Sequence, residues 1–269
     1  MNKPELVKLG NKETNMLNIK ANEEYKKKIV AVANEYYKDI VGKEHKEDKN
    51  FIKYPHLFLL GCVMDSQMSA KKAWEIPNII AEELGGKDFS LFCTKDLTWY
   101  REQFEKKKLH RFNKEMSDAF YSAVIKIKED YYGDASNIWN DKPSSAELVC
   151  RLLEFKKIGI KIATMAANIL SRDYGVKLKD KYAIEISPDI HVKRAMYRLG
   201  LLSEQKNVDF KTIDVNKVIY AAKSLNPKFP GVLDPVCWYV GNQKICTNDS
   251  CMSGITGQCP FSDFCIRQK

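Results

Sequence analysis

The chain has 269 residues, of which 44% are hydrophobic and 29% charged, with 44 Lys and Arg against 35 Asp and Glu for a formal charge of +9. These proportions suit a globular protein with a sizeable core in one or two domains. No apolar run approaches the roughly 18 residues of a membrane-crossing helix, and the opening MNKPELVKLGNKETN lacks a secretion signal's apolar core, so a cytoplasmic protein, of a nucleoid-associated kind, is expected. The basic excess is compatible with a polyanionic partner, because each phosphate neutralised releases counterions.

In chain order, Tyr25, Ile29, Val32, Tyr36 and Ile40 recur at helical spacing and predict a helix over 22–41, closed by the polar HKEDKN. PHLFLLGCVM, beginning at Pro55, is nearly continuously apolar and predicts a helix buried on most sides, ended by Asp65-Ser66-Gln67. Ser69 is the expected cap of the next helix, AKKAWEIPNIIAEEL, which Gly85-Gly86 stops. Shorter helices are expected over 89–93, 95–105 and 113–131. Ser144 or Ser145 then caps a helix over 146–155 with Glu147 in its first turn. A tight turn at Ile158-Gly159 leads into a helix from Ile160 to about Leu170. YGVKLKDKYAIEIS alternates apolar and polar residues around Lys179-Asp180-Lys181, a β-hairpin signal near 176–186. Asp189 then opens a helix over 190–199. No repeat, low-complexity tract or Gly-rich phosphate loop interrupts this order, so the fold class is all-α with at most one small hairpin.

Cys62, Cys93, Cys150 and Cys237 are dispersed among apolar neighbours and read as buried thiols. Cys246, Cys251, Cys259 and Cys265 crowd the tail with spacing C-x4-C-x7-C-x5-C. In a cytosolic chain such a cluster points to a metal site rather than disulfides, and the spacing leaves a 4Fe-4S cluster and a zinc ion both open.

The stretch FKKIGIKIA (Phe155–Ala163), followed by Pro188-Asp189-Ile190-His191-Val192, resembles the helix-hairpin-helix signature of the endonuclease III family of base-excision DNA glycosylases, LPGVGRKTA followed by VDTHV. On this match Lys161 falls on the catalytic lysine and Asp189 on the catalytic aspartate. Ile158 and Gly159 fall on the turn that grips the DNA backbone, while Lys156 and Lys157 replace the family's Pro and first Gly. Asp65-Ser66-Gln67 resembles part of the family's LSAQATD, placing Gln67 where a glutamine reaches into DNA. LHRFNK (109–114) resembles the minor-groove wedge loop, with His110 and Arg111 as its DNA contacts. Cys259-Pro260 through Cys265 reproduces the closing CPxxxxC of the family's C-x6-C-x2-C-x5-C cluster loop. The first two gaps differ, and Thr247-Asn248-Asp249-Ser250 carries none of that loop's basic residues, although Lys244, Arg267 and Lys269 lie close by.

The resemblance implies a six-helix barrel over 51–188 bearing the hairpin, and a cluster domain formed by 1–50 with 189–269. It implies a monomeric glycosylase with AP lyase activity on duplex DNA holding a damaged or abasic site. Lys161 would attack as the neutral amine, a form that burial and a helix N-terminus favour. Asp189 would remain ionised beside the developing positive charge, and the four cysteines would hold 4Fe-4S rather than zinc. A water-using glycosylase and a non-catalytic DNA-binding protein are the alternatives. The base removed is not legible in these residues.

Overall fold

The computed structural model describes residues 23–41, 49–202, 208–263 and 265; positions 1–22, most of HKEDKN, Arg267 and Lys269 lie outside it. Among the described residues there are twelve α-helices, three short 3-10 turns and no strand: α1 (Glu23–Ile40), α2 (Lys49–Lys53), α3 (Pro55–Met64), α4 (Ala70–Glu83), α5 (Phe89–Phe92), α6 (Leu97–Lys107), α7 (Asn113–Asp130), α8 (Ser145–Leu153), α9 (Ile160–Arg172), α10 (Ile190–Arg198), α11 (Val215–Leu225) and α12 (Asp234–Asn242).

Every residue of α3 from His56 to Met64 is buried, as its unbroken apolar run requires. Around it Ile76 and Ile80 of α4, Tyr100 and Phe104 of α6, Phe120 and Ile127 of α7, Leu148 and Leu152 of α8, and Ala163, Ala166 and Leu170 of α9 close one core. A second core joins Ile29, Ala33 and Tyr37 of α1 to Val192 and Met196 of α10, Val218 of α11, Val236 and Val240 of α12, and Phe261. The beginning and the end of the described chain therefore bury their apolar surface against each other. The phenol of Tyr25 fastens α1 by donating to the Leu199 carbonyl at 2.8 Å.

Local signals set several boundaries. Ser144 and Glu147 form a reciprocal capping box at α8, two otherwise orphaned N–H groups being satisfied at once. Gly85, at φ +79°, stops α4 in the left-handed conformation that costs glycine nothing. Ser69 occupies the cap position of α4, but its side chain takes no cap hydrogen bond.

The hairpin expected near 176–186 is absent. Apart from a local turn in which the Ile184 N–H donates to the Lys181 carbonyl at 3.1 Å, the segment's polar groups turn outward to other elements. The Lys179 N–H donates to the Pro143 carbonyl at 3.0 Å, Ser145 donates through its hydroxyl to Asp180, and the Ala183 N–H donates to the Ser145 Oγ at 3.0 Å. Ile184 packs in the first core and Ile186 in the second. The alternation that mimics a strand records a strap crossing between two cores, and a ladder is not needed once its polar groups are met elsewhere.

This strap is pressed against the 3-10 turn Pro230–Leu233. A Cβ added to Gly231 would lie 2.7 Å from the Ile184 carbonyl oxygen and 2.8 Å from its Cγ2. Backbone cannot yield as a flexible side chain can, so Gly231→Ala is expected to cost about 2–3 kcal/mol in urea unfolding.

Candidate functional site

The turn between α8 and α9 is made without the glycine that its sequence lacks. Lys157 takes φ +72°, a conformation that costs a non-glycine residue about 1 kcal/mol, and its ammonium pairs with Glu115 of α7. Phe155 and Ile158 are buried and anchor the turn, while Lys156, Lys157, Gly159, Ile160 and Lys161 face out. Gly159 is the cap residue of α9 in an extended conformation, φ −94° and ψ 177°. A Cβ there would meet nothing within 4 Å. Nothing inside the protein demands glycine, and the bare backbone opens onto free space at a helix N-terminus, the setting in which N–H groups receive a phosphate.

Lys161 stands in the first turn of α9. Its side chain is exposed, so the burial expected of a nucleophile is not met by the protein alone; the helix N-terminus is. Asp189 caps α10, its Oδ1 accepting from the Val192 N–H at 2.8 Å. The buried Ser187 links the two helices: its hydroxyl donates to the Lys161 carbonyl at 3.5 Å, and its N–H donates to Asp234 Oδ1 at 2.7 Å.

Electrostatics draw these residues into one group. Burial raises the Asp65 carboxyl, Lys161 opposes that rise and Asp189 adds to it. Asp234 keeps some exposed surface yet is densely enclosed. Enclosure pushes its carboxyl up to about 7, with the Ser187 N–H opposing, Asp189 adding, and Arg172 and Lys161 opposing. Burial lowers His191, which Asp189 pulls upward while Arg194 and Lys161 press it down. Three separate groups thus sense both Lys161 and Asp189. Asp65 and Asp234 are not legible as site residues in the sequence: Asp65 reads as a helix terminator, and no motif singles out Asp234.

Beyond Asp65 the chain turns through Gln67, exposed and at φ +57°. Arg111 donates to the Gln67 side-chain oxygen and lies 4.6 Å over the ring of Phe112. Two stretches expected at DNA, 44 residues apart in sequence, are therefore in contact. His110 departs from its expectation as a DNA contact. It is buried, with Nδ1 accepting from the Phe112 N–H at 3.1 Å and Nε2 2.9 Å from the Ser66 carbonyl. Phe112, which the sequence motif did not single out, takes the exposed position instead.

The cysteine tail wraps the C-terminal end of α10. Cys246 and Cys251 pair across an antiparallel bridge, and the Cys265 thiol donates to the Arg198 carbonyl at 3.4 Å. Burial raises the Cys246 thiol, against Arg198 and Arg194. Burial likewise takes Cys259 to about 11, opposed by the Phe261 backbone and reinforced by Cys265, Cys251 and Cys246. The four sulfurs are near enough to sense one another, yet among the described residues no three His, Cys, Asp or Glu side chains converge into a metal-holding group. What fits a thiolate-ligated anionic group is the donor chemistry: four thiols not joined in disulfides, two buried guanidiniums beside them, and an Arg194 Nε buried with no hydrogen-bond partner. A cationic nitrogen left bare in the interior is costly unless a negative charge lies near.

No family model matches the sequence, and no curated protein matches it. Among solved structures the chain is similar to the protein in "Structure of a Trapped Endonuclease III-DNA Covalent Intermediate: Estranged-Adenine Complex", at 15% identity and a TM-score of 0.51 over 81% of this chain and 86% of that one. The all-helical fold is therefore endonuclease III-like. No helix among the described residues is long and apolar enough to cross a membrane.

The Asp234 carboxyl has a direct consequence for stability. Its folded value, about 7, lies above its ordinary 3.8, so its contribution is complete below the ordinary value and is lost as pH rises through about 7. Asp234→Asn retains an acceptor for the Ser187 N–H and cannot ionise. Between pH 4 and pH 8 the native protein is expected to lose a few kcal/mol relative to this variant in denaturant unfolding. Parallel pH curves for the two proteins would contradict the assignment.

Proposed function

We propose that the protein is a DNA glycosylase with associated lyase chemistry, acting on duplex DNA that holds a damaged or abasic site. The observation that carries the reading is the joining of Lys161 and Asp189, through Ser187, at the mouth of a helix-hairpin-helix turn in an endonuclease III-like fold. Fold alone decides no activity, and the site has to supply the reason.

The hairpin would hold the DNA backbone through the N–H groups around Gly159 without reading sequence. The target nucleotide has to leave the stack, because C1′ is out of reach inside a duplex. Lys161 Nζ, as the neutral amine, then bonds to C1′. The glycosidic C–N bond breaks with its electron pair leaving on the base, which takes up a proton. Opening of the sugar ring gives a Schiff base, and loss of a C2′ proton expels the 3′ phosphate. The nucleophile must be exposed in the free protein to meet its substrate, and bound DNA covers it and excludes water. Asp189 gives a carboxylate for the positive charge that develops at C1′.

In the same reading the two cores are two lobes, 51–188 and 1–50 with 189–269, and the protein works as a monomer. Cys246, Cys251, Cys259 and Cys265 would hold a 4Fe-4S cluster, which would staple the tail to α10 and take no part in the bond changes. Zinc is the alternative, and absorption of visible light by the purified protein separates the two.

Incubation with an abasic duplex should yield strand cleavage. Lys161→Ala is expected to lower it by about three orders of magnitude, and Asp189→Asn by about two, with duplex affinity kept. Full cleavage by the Lys161 variant would overturn the assignment. Tight binding without cleavage by the native protein would leave a DNA-binding scaffold in place of an enzyme.

A further inference from the structure

The exposed face formed by Gln67, Arg111 and Phe112 comes from two turns, each held within itself by local backbone bonds such as Ser66 N–H to Met64 O and Leu109 N–H to Phe104 O. Gln67 and Lys108 both adopt left-handed backbone, φ +57° and +50°, and each such residue costs about 1 kcal/mol. The contact at the surface, Arg111 to Gln67, is made by exposed side chains, and such a link contributes little on its own.

Behind it lies His110, only 3% exposed. Its bonds specify its tautomer. Nδ1 accepts from the Phe112 N–H at 3.1 Å, so Nε2 carries the proton and donates to the Ser66 carbonyl at 2.9 Å. The His110 N–H donates to Asn113 Oδ1 at 2.9 Å, at the start of α7. One ring therefore spans from the residue before Gln67 to the amide of Phe112, and its own backbone is tied to a long helix. Phe112 is 41% exposed, with its ring under the Arg111 guanidinium.

We propose that His110 is a positioning residue that fastens the 65–69 and 108–113 turns into one rigid probe, with Gln67 and Phe112 at its tip, and that its Nε2 bond to the Ser66 carbonyl is the link on which the probe depends. The inference rests on the reading of the protein as a DNA glycosylase. An aromatic ring that enters a base stack, and an amide that meets the base left behind, act together only if their separation is set in advance. Ordering two free turns on binding would otherwise reduce affinity.

The two ring bonds can be separated by substitution. His110→Gln places an amide N–H near the Nε2 position and can restore the donation to Ser66. His110→Asn places its oxygen near Nδ1 and can restore only the acceptance from Phe112. His110→Ala removes both. The probe is a duplex with an uncleavable tetrahydrofuran abasic analogue beside 2-aminopurine, whose fluorescence reports unstacking, with borohydride trapping on a cleavable abasic duplex at saturating protein as the second readout.

His110→Ala and His110→Asn should bind the analogue about tenfold more weakly and lose most of the fluorescence rise, as for loss of a buried hydrogen bond. Trapping on the cleavable duplex should fall in the same two variants and recover in His110→Gln, because C1′ is reached only after the nucleotide leaves the stack. His110→Gln should recover affinity to within about threefold, with a melting temperature matching that of the Asn variant. Equal behaviour of the Gln and Asn variants would overturn the proposal, as would recovery by Asn alone. If the native protein neither unstacks nor traps these duplexes, the glycosylase reading fails and the proposal with it. If it does both and all three variants match it, only the role of His110 fails.

Discussion

A single serine between two helices holds the candidate site together. Ser187 gives its N–H to Asp234 and its hydroxyl to the carbonyl of Lys161, two residues before Asp189 caps α10. One end of this bridge is a carboxylate enclosed at the head of α12, and the other is the first turn of α9. The hydroxyl ties the turn carrying Asp189 to the helix carrying Lys161, and the N–H ties it to the head of α12. The bridge also costs something, since an enclosed carboxylate is hard to ionise. The Ser187 N–H, Arg172 and Lys161 favour the ionised form there, and Asp189 opposes it.

The same economy governs the hairpin. At the position of the motif's first glycine, Lys157 keeps the left-handed backbone and gains an ion pair with Glu115. A lysine thus meets the left-handed backbone of this turn where the sequence offers no glycine. At Gly159 the reverse holds: the backbone needs no glycine and the surroundings leave room for a side chain, so nothing within the described structure calls for glycine there.

Much of the helical order is legible in sequence because periodicity and capping are local. The apolar run of α3, the Ser144 and Glu147 box and the Asp189 cap each need only neighbours within one turn. The misreadings are those where distant partners decide. The alternation of 176–186 resembles a strand until Ser145 and Pro143 take up its polar groups. His110 looks like a surface contact until Ser66 is seen to cap its ring. Asp65 and Asp234 gain their meaning only once the fold sets them beside Lys161 and Asp189. In the tail the spacing of four cysteines is plain in sequence, whereas the two arginines of α10 that line it are separated from it by some 50 residues.

The most direct test of the central claim is to reduce the covalent complex with an abasic duplex, digest both protein and DNA, and locate the sugar remnant by mass spectrometry. With 37 lysines in the chain, many amines compete for that position. The remnant is expected on Lys161. A remnant on another lysine, or spread among several, would show that the group around Ser187 does not do the chemistry.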